Sequence, residues 1–163
     1  MTSRNSAETA RFRQLVDTPI GWLAVVADVS AIVTIEFDAE TKPDDAGNNI
    51  TQAGVTQLQE YFSGQRTTFD LPLKMPGTQF QQQVWQTLTA VPFGVTCSYS
   101  DIASRIERPK AVRAVGAANG KNPIPIVVPC HRIIGSSGTL TGYAGGLDKK
   151  QWLLEHEGLT VKT

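Results

Sequence analysis

Residues 98–120 read SYSDIASRIERPKAVRAVGAANG, and their pattern decides how the second half of the chain folds. Two short helical patterns, roughly Ser100–Ile106 and Lys110–Ala118, flank Glu107-Arg108-Pro109, where proline breaks a continuous helix. Ser100 suits the N-cap of the first, and Asn119-Gly120 suits the stop of the second. Two short helices joined by such a turn have the layout of a helix-turn-helix. The second is nearly bare of bulk, with Ala111, Ala114, Ala117 and Ala118 around Gly116. That surface suits either close approach to a flat partner or tight packing inside a core, and the pattern alone leaves both open.

Upstream, Phe80, Val84, Trp85 and Leu88 form a helical apolar face that ends at the breakers in Val91-Pro92-Phe93-Gly94. Residues 64–76 read as a connection between two lobes. Before it, Trp22–Ala27 and Ile32–Phe37 are rich in β-branched and aromatic residues and are joined by Asp28-Val29-Ser30, which predicts a hairpin. A further strand is expected around Phe12–Val16, and a helix near Gln52–Phe62, where Val55, Leu58 and Phe62 recur at helical spacing. The acidic stretch 38–49 reads as a solvated loop, and residues 1–10 as a loose polar terminus. The expected fold class is therefore α/β: a small N-terminal sheet with a helix over residues 1–75, and a mainly helical lobe with a winged-helix-like helix-turn-helix over residues 76–163.

The 163 residues are 40% hydrophobic, enough for a real core. Fifteen Lys plus Arg balance fifteen Asp plus Glu, so global charge points to no partner. Local charge does: residues 101–132 hold six bases (Arg105, Arg108, Lys110, Arg113, Lys121, Arg132) against Asp101 and Glu107. A basic helix-turn-helix is a footprint of phosphate binding, although basic surfaces also occur on proteins that never touch DNA. No segment is apolar over the length of a signal-peptide core or a membrane span, so a soluble cytoplasmic protein without membrane partners is expected. Cys97 and Cys130 have no close cysteine partner, so free thiols and no zinc cluster are expected.

The run Ile124–Val128 (IPIVV) is almost wholly apolar and reads as a buried extended segment that stops at Pro129 and delivers Cys130 at a turn. A cysteine there is either an inert core thiol or a nucleophile. His131 and Arg132 are the adjacent groups able to raise its thiolate fraction. A last helix is expected from Asp148, capped with Gln151, through Trp152 and Leu153 to Glu157. Glu157 either orients the histidine, giving nucleophile, base and orienter, or is a solvated carboxylate. Thr141-Gly142-Tyr143-Ala144-Gly145-Gly146 either closes over a flat ligand or makes a turn.

With these blocks in place the chain resembles the O6-alkylguanine-DNA alkyltransferases, also called methylated-DNA–protein-cysteine methyltransferases. The resemblance rests on Phe80–Trp85 (FQQQVW), Ser98-Tyr99, Lys110–Gly116 (KAVRAVG), Asn122-Pro123, Pro129–Arg132 (PCHR), Gly142–Gly146 (GYAGG) and Trp152–Gly158 (WLLEHEG) in order and spacing. It implies direct-reversal repair of double-stranded DNA containing O6-alkylguanine, by one irreversible transfer per protein molecule. It also implies roles: Cys130 as acceptor, His131 as base through water, Glu157 as its orienter, Asn122 as the brace of the cysteine turn, and Tyr99 as proton donor to the leaving guanine. Arg113 matches an arginine that fills the space of the flipped base. Ala111, Ala114, Gly116 and Ala117 match a minor-groove recognition helix, and Val128, Tyr143, Ala144 and Gly145 the base pocket. Ala144 stands where many relatives have serine, and the zinc ligands some relatives carry in the N-terminal lobe are absent. No cofactor or metal is expected, and a monomer is. The competing readings are a non-catalytic relative that binds lesions and signals, a cysteine hydrolase, and a purely structural DNA-binding domain.

Overall fold

The computed structural model describes residues 10–161, so the expectation of a loose start lies outside the described residues apart from Ala10. Contacts divide the chain between Met75 and Pro76 into two units.

In the first unit β1 (Phe12–Thr18), β2 (Gly21–Ala27) and β3 (Ile32–Glu36) form an antiparallel sheet in the order β1-β2-β3. The β1 strand pairs from Phe12 opposite Ala27 to Thr18 opposite Gly21. Asp28 shapes the next turn, its Oδ1 accepting from the Ser30 and Ala31 N–H groups at 2.8 Å each. Helix α1 (Asn49–Phe62) opens on a reciprocal cap between Asn48 and Thr51 and buries Val55, Leu58 and Tyr61. Gly54 lets it lie close to the sheet: a Cβ there would sit 2.9 Å from Val25 Cγ1. The acidic loop is mostly exposed, but Asp45 is drawn into an ion pair with Arg13 at 2.9 Å.

In the second unit α2 (Gln79–Thr89) is capped by Thr78 with Gln81 and buries Val84, Trp85 and Leu88. Helices α3 (Tyr99–Arg105) and α4 (Val112–Gly120) follow, each packed on α2 and on the other. The N-cap of α3 is Ser98 rather than Ser100, because Ser98 has Asp101 at the third helical position and the two satisfy each other's backbone N–H. Helix α4 starts later than its pattern suggested, at Val112 with no side-chain cap, and runs through Asn119-Gly120 instead of stopping there. Trp85 Nε1 donates to the Ala118 carbonyl at 2.9 Å, tying α2 to the end of α4. Trp85→Phe keeps most of the ring but removes one of two donors to the Ala118 carbonyl, the other being the Lys121 N–H at 3.1 Å, so a loss of about 0.5–1.5 kcal/mol is expected from urea denaturation. An unchanged midpoint would mean that the Lys121 N–H alone satisfies the carbonyl.

The largest departure from the sequence reading is IPIVV, which is buried but is not a strand. Its sole ladder contact is a bridge between Pro125 and Val128, within the run itself. The backbone instead makes two three-residue turns, Val127 N–H to Pro125 O at 2.9 Å and Cys130 N–H to Val128 O at 2.8 Å. The first is centred on Ile126 at φ 74, a left-handed conformation that a β-branched side chain adopts at a cost of about 1–3 kcal/mol. Short apolar runs carry no periodicity to separate buried strand from buried coil. A 3-10 turn at Cys130–Arg132 leads into β5 (Ile133–Ile134), which pairs in parallel with β4 (Cys97–Ser98). That short ladder fixes the start of α3, and so Tyr99, relative to the cysteine turn. Helix α5 (Leu147–His156) ends the unit. Gly146 is its N-cap and no side chain caps it, so the expected Asp148/Gln151 box does not form.

Candidate active site

Asn122 holds the turn that presents Cys130. Its Nδ2 donates to the Val128 carbonyl at 2.8 Å and its Oδ1 accepts from the Ile124 N–H at 3.0 Å, so one side chain closes both ends of the irregular segment. Cys130 is 5% exposed, and burial pushes its thiol up to about 11, against lowering contributions from Asn122 and the Lys150 charge. At neutral pH the resting group is therefore a thiol, and the thiolate must be made on demand. The sequence reading enlisted His131 and Arg132 as activators, but Arg132 is already committed elsewhere.

Glu157, at the end of α5, collects four donors. Its Oε1 accepts from Arg132 Nε at 2.8 Å and from the Gly94 N–H at 3.0 Å; its Oε2 accepts from Arg132 Nη2 at 2.9 Å and faces His131 Nε2 at 2.8 Å. A carboxylate held by an arginine fork is acceptor only, so the proton between Glu157 and His131 belongs to His131 Nε2. The other ring nitrogen, Nδ1, then carries the lone pair, and it is buried with no hydrogen-bond partner. Burial lowers the His131 pKa against the opposing pull of Glu157, which keeps the imidazole neutral. Arg132 completes the cluster by donating to the Val91 carbonyl at 2.7 Å, and at 5% exposure it drops out of the basic surface counted from sequence.

Cys130 opens onto a cavity of about 280 Å³ whose walls include Asn119, Asn122, Pro125, Tyr143 and Ala144. Of the four residues assigned to the base pocket, Tyr143 and Ala144 line this cavity and Val128 and Gly145 do not; Val128 contributes the carbonyl that Asn122 holds. Tyr99 Oη lies 2.7 Å from Thr141 Oγ1 on the loop before Tyr143. On α4 the open question of the small residues is answered residue by residue. Arg113, Ala114 and Ala117 are exposed, Ala111 is half-buried, and Val115 and Ala118 are buried. Gly116 is half-buried and turns toward the Tyr99 ring, where a Cβ would meet Tyr99 Cδ1 at 3.7 Å. The exposed Arg108 and Lys110 border the start of the same face. The other cysteine, Cys97, is buried in β4 and its thiol is likewise pushed up to about 11 by burial. No helix among the described residues is long and apolar enough to cross a membrane.

Two family models match the chain. Residues 79–159 match the DNA binding domain of 6-O-methylguanine DNA methyltransferase, and residues 12–75 match its ribonuclease-like domain. The chain belongs to the 6-O-methylguanine DNA methyltransferase family. Among its relatives, the methylated-DNA–protein-cysteine methyltransferase of Mycolicibacterium paratuberculosis is 49% identical over 147 residues, 87% of this chain and 89% of the relative. That of Methanosarcina acetivorans is 43% identical over 150 residues, 88% and 96% of the two chains. The crystal structure of Mycobacterium tuberculosis OGT in complex with DNA superposes with a TM-score of 0.82 at 44% identity, covering 90% of this chain and 92% of that one. The α/β class expected from sequence is the fold of this family.

Three groups of this methyltransferase-family site were not assigned from sequence: Arg132 as the holder of Glu157, Lys150 and Thr141. A signal existed for Lys150, which shares a helix face with Leu153, Leu154 and Glu157, all buried, so a lysine stood on an apolar stripe. Its Nζ donates to the Thr141 carbonyl at 3.1 Å and to Thr141 Oγ1 at 3.2 Å. Arg132 and Thr141 carry no comparable signal.

Proposed function

We propose that this protein repairs alkylated DNA by direct reversal, taking the alkyl group from the O6 of a flipped-out guanine onto Cys130 in a single turnover. The observation that carries the proposal is a buried thiol opening onto a cavity, beside a neutral imidazole whose unpartnered Nδ1 is free to act as a base. His131 takes the Cys130 proton through an intervening water, and Glu157 fixes the ring and tautomer for that step. The sulfur forms a bond to the alkyl carbon as the carbon–O6 bond breaks, and its electron pair passes into the guanine ring. Tyr99 supplies a proton to a ring nitrogen, so the base leaves neutral. The product is a thioether, and the sequence carries no cofactor-binding motif that suggests a means of reversing it, which makes the reaction stoichiometric.

Residues 76–163 act as the DNA-binding and acceptor domain. The exposed face of α4, with Ala114 and Ala117 lacking bulk and Ala111 and Gly116 beside them, approaches the minor groove, where Arg113 occupies the space of the extruded base. Extrusion costs a few kcal/mol, which that contact offsets in part. Tyr143 and Ala144 form the pocket side that receives the base, with Gly145 next to them in the loop and Val128 supporting the cysteine turn from outside the cavity. The partner is double-stranded DNA, the protein acts as a cytoplasmic monomer, and no cofactor takes part. The test is intact mass and peptide mapping after mixing with excess duplex containing O6-methylguanine, beside Cys130→Ala. One methyl per protein on Cys130, absent from the variant, is expected. Tight lesion binding without mass gain would instead support the signalling reading.

A further inference from the structure

We infer that the Thr141 hydroxyl is a positioning group for alkyl transfer: it donates to Tyr99 Oη and so leaves the tyrosine's own proton free for the departing base. The inference rests on the function proposed above and concerns how its proton donor is polarised.

It begins with a lysine in an unusual place. Lys150 is fully buried, yet among the described residues no carboxylate lies within ion-pair distance of its Nζ. A buried cation without an ion pair is expensive, and this one is held by the two oxygens of a single residue, the Thr141 carbonyl and hydroxyl. Burial lowers its pKa to about 8, so at neutral pH it remains an ammonium and can only donate.

That fixes a direction along the chain of hydrogen bonds. Thr141 Oγ1 accepts from Lys150 at 3.2 Å, and among the described residues its one remaining hydrogen-bond partner is Tyr99 Oη at 2.7 Å. A hydroxyl has a single proton and two acceptor sites. If Tyr99 donated to Thr141, the threonine proton would have no acceptor in a half-buried site. With Thr141 donating to Tyr99, the proton left over is the tyrosine's, which has no protein acceptor among the described residues; the ring nitrogen of a bound guanine accepts it, so this is the direction in which every proton is satisfied once the base is in place. During transfer the same arrangement stabilises the phenolate oxygen as its proton passes to the guanine ring nitrogen, because the threonine O–H and, behind it, the ammonium already point at it.

The experiment measures single-turnover methyl transfer from an O6-methylguanine duplex, with the Kd for the lesion duplex measured alongside. Thr141→Val, which keeps shape and loses the hydroxyl, should slow transfer about tenfold with Kd unchanged, a part of the rate a positioned acid supplies. Thr141→Ser should restore most of the rate. In a Tyr99→Phe background Thr141→Val should slow transfer no further, because its effect passes through the tyrosine. Wild-type rate in Thr141→Val, or equal slowing with and without the Tyr99 hydroxyl, would overturn the inference. A wild-type protein that gains no methyl overturns the function itself, and this inference with it.

Discussion

Arg132→Met is expected to lower the stability of the second unit by about 3–5 kcal/mol, the usual cost of stripping one partner from a buried ion pair. The arginine supplies two of the four N–H groups that satisfy Glu157, at 2.8 and 2.9 Å, and a third donor of the same side chain holds the Val91 carbonyl. Methionine fills much of the volume but leaves a carboxylate at 5% exposure without the guanidinium that paired it, although the Gly94 N–H and His131 remain. Uptake of a proton, by the carboxylate itself or by His131 beside it, relieves the stranded charge, so the variant should be less destabilised at low pH than at neutral pH when followed by urea denaturation. Arg132→Met combined with Glu157→Leu should regain much of the loss, since an apolar pair of similar volume is often tolerated where a lone charge is not. That double variant should nevertheless transfer methyl slowly, because nothing then orients His131. Loss of less than 1 kcal/mol in the single variant would mean that water reaches Glu157 and that the cluster is less closed than its burial implies.

The same cluster illustrates what could and could not be read beforehand. The helix-turn-helix was legible because Pro109 interrupts two periodic segments, and the strands because β-branched residues gather between turn residues. Boundaries slipped where a cap had a better partner than the one guessed, as with Ser98 and Asp101. IPIVV misled because apolarity reports burial and not conformation; the irregular backbone is dictated by Asn122, a residue outside the run that binds both Ile124 and Val128. Pairing His131 with Glu157 could be raised from residue types, but adding Arg132 to the pair required knowing that residues 25 positions apart converge while Arg132 turns into the interior instead of joining the exposed basic residues. Charge in a sequence does not say whether it faces water. For Lys150 the helical period did say so, and the lysine's place on the buried side of α5 is the kind of local conflict that points to a site.

His131→Leu carries the largest expected kinetic effect, a single-turnover rate about 10²–10⁴-fold lower with lesion binding retained, because the variant lacks the base that makes the thiolate. Glu157 keeps its arginine in this variant, so the chemistry is tested without stranding a charge. The pH profiles should differ in form as well as height. Burial lowers the His131 pKa below its ordinary 6.5, so the wild-type base stays neutral and competent at pH 6.5, and its rate should hold level there and fall only at more acid pH. In the variant only solvent can remove the Cys130 proton, whose pKa lies at about 11, so the rate should climb about tenfold per pH unit across the neutral and alkaline range. Stability gives an independent sign. A histidine whose folded pKa is depressed contributes stability that is present above the unfolded pKa and is lost as pH falls, because the unfolded chain takes up the proton that the folded one refuses. Part of the acid sensitivity of the wild-type urea midpoint should therefore vanish in His131→Leu. If the two proteins showed the same pH–rate profile, another group would be removing the thiol proton, and the neutral imidazole beside Cys130 would be serving the packing of Glu157 alone.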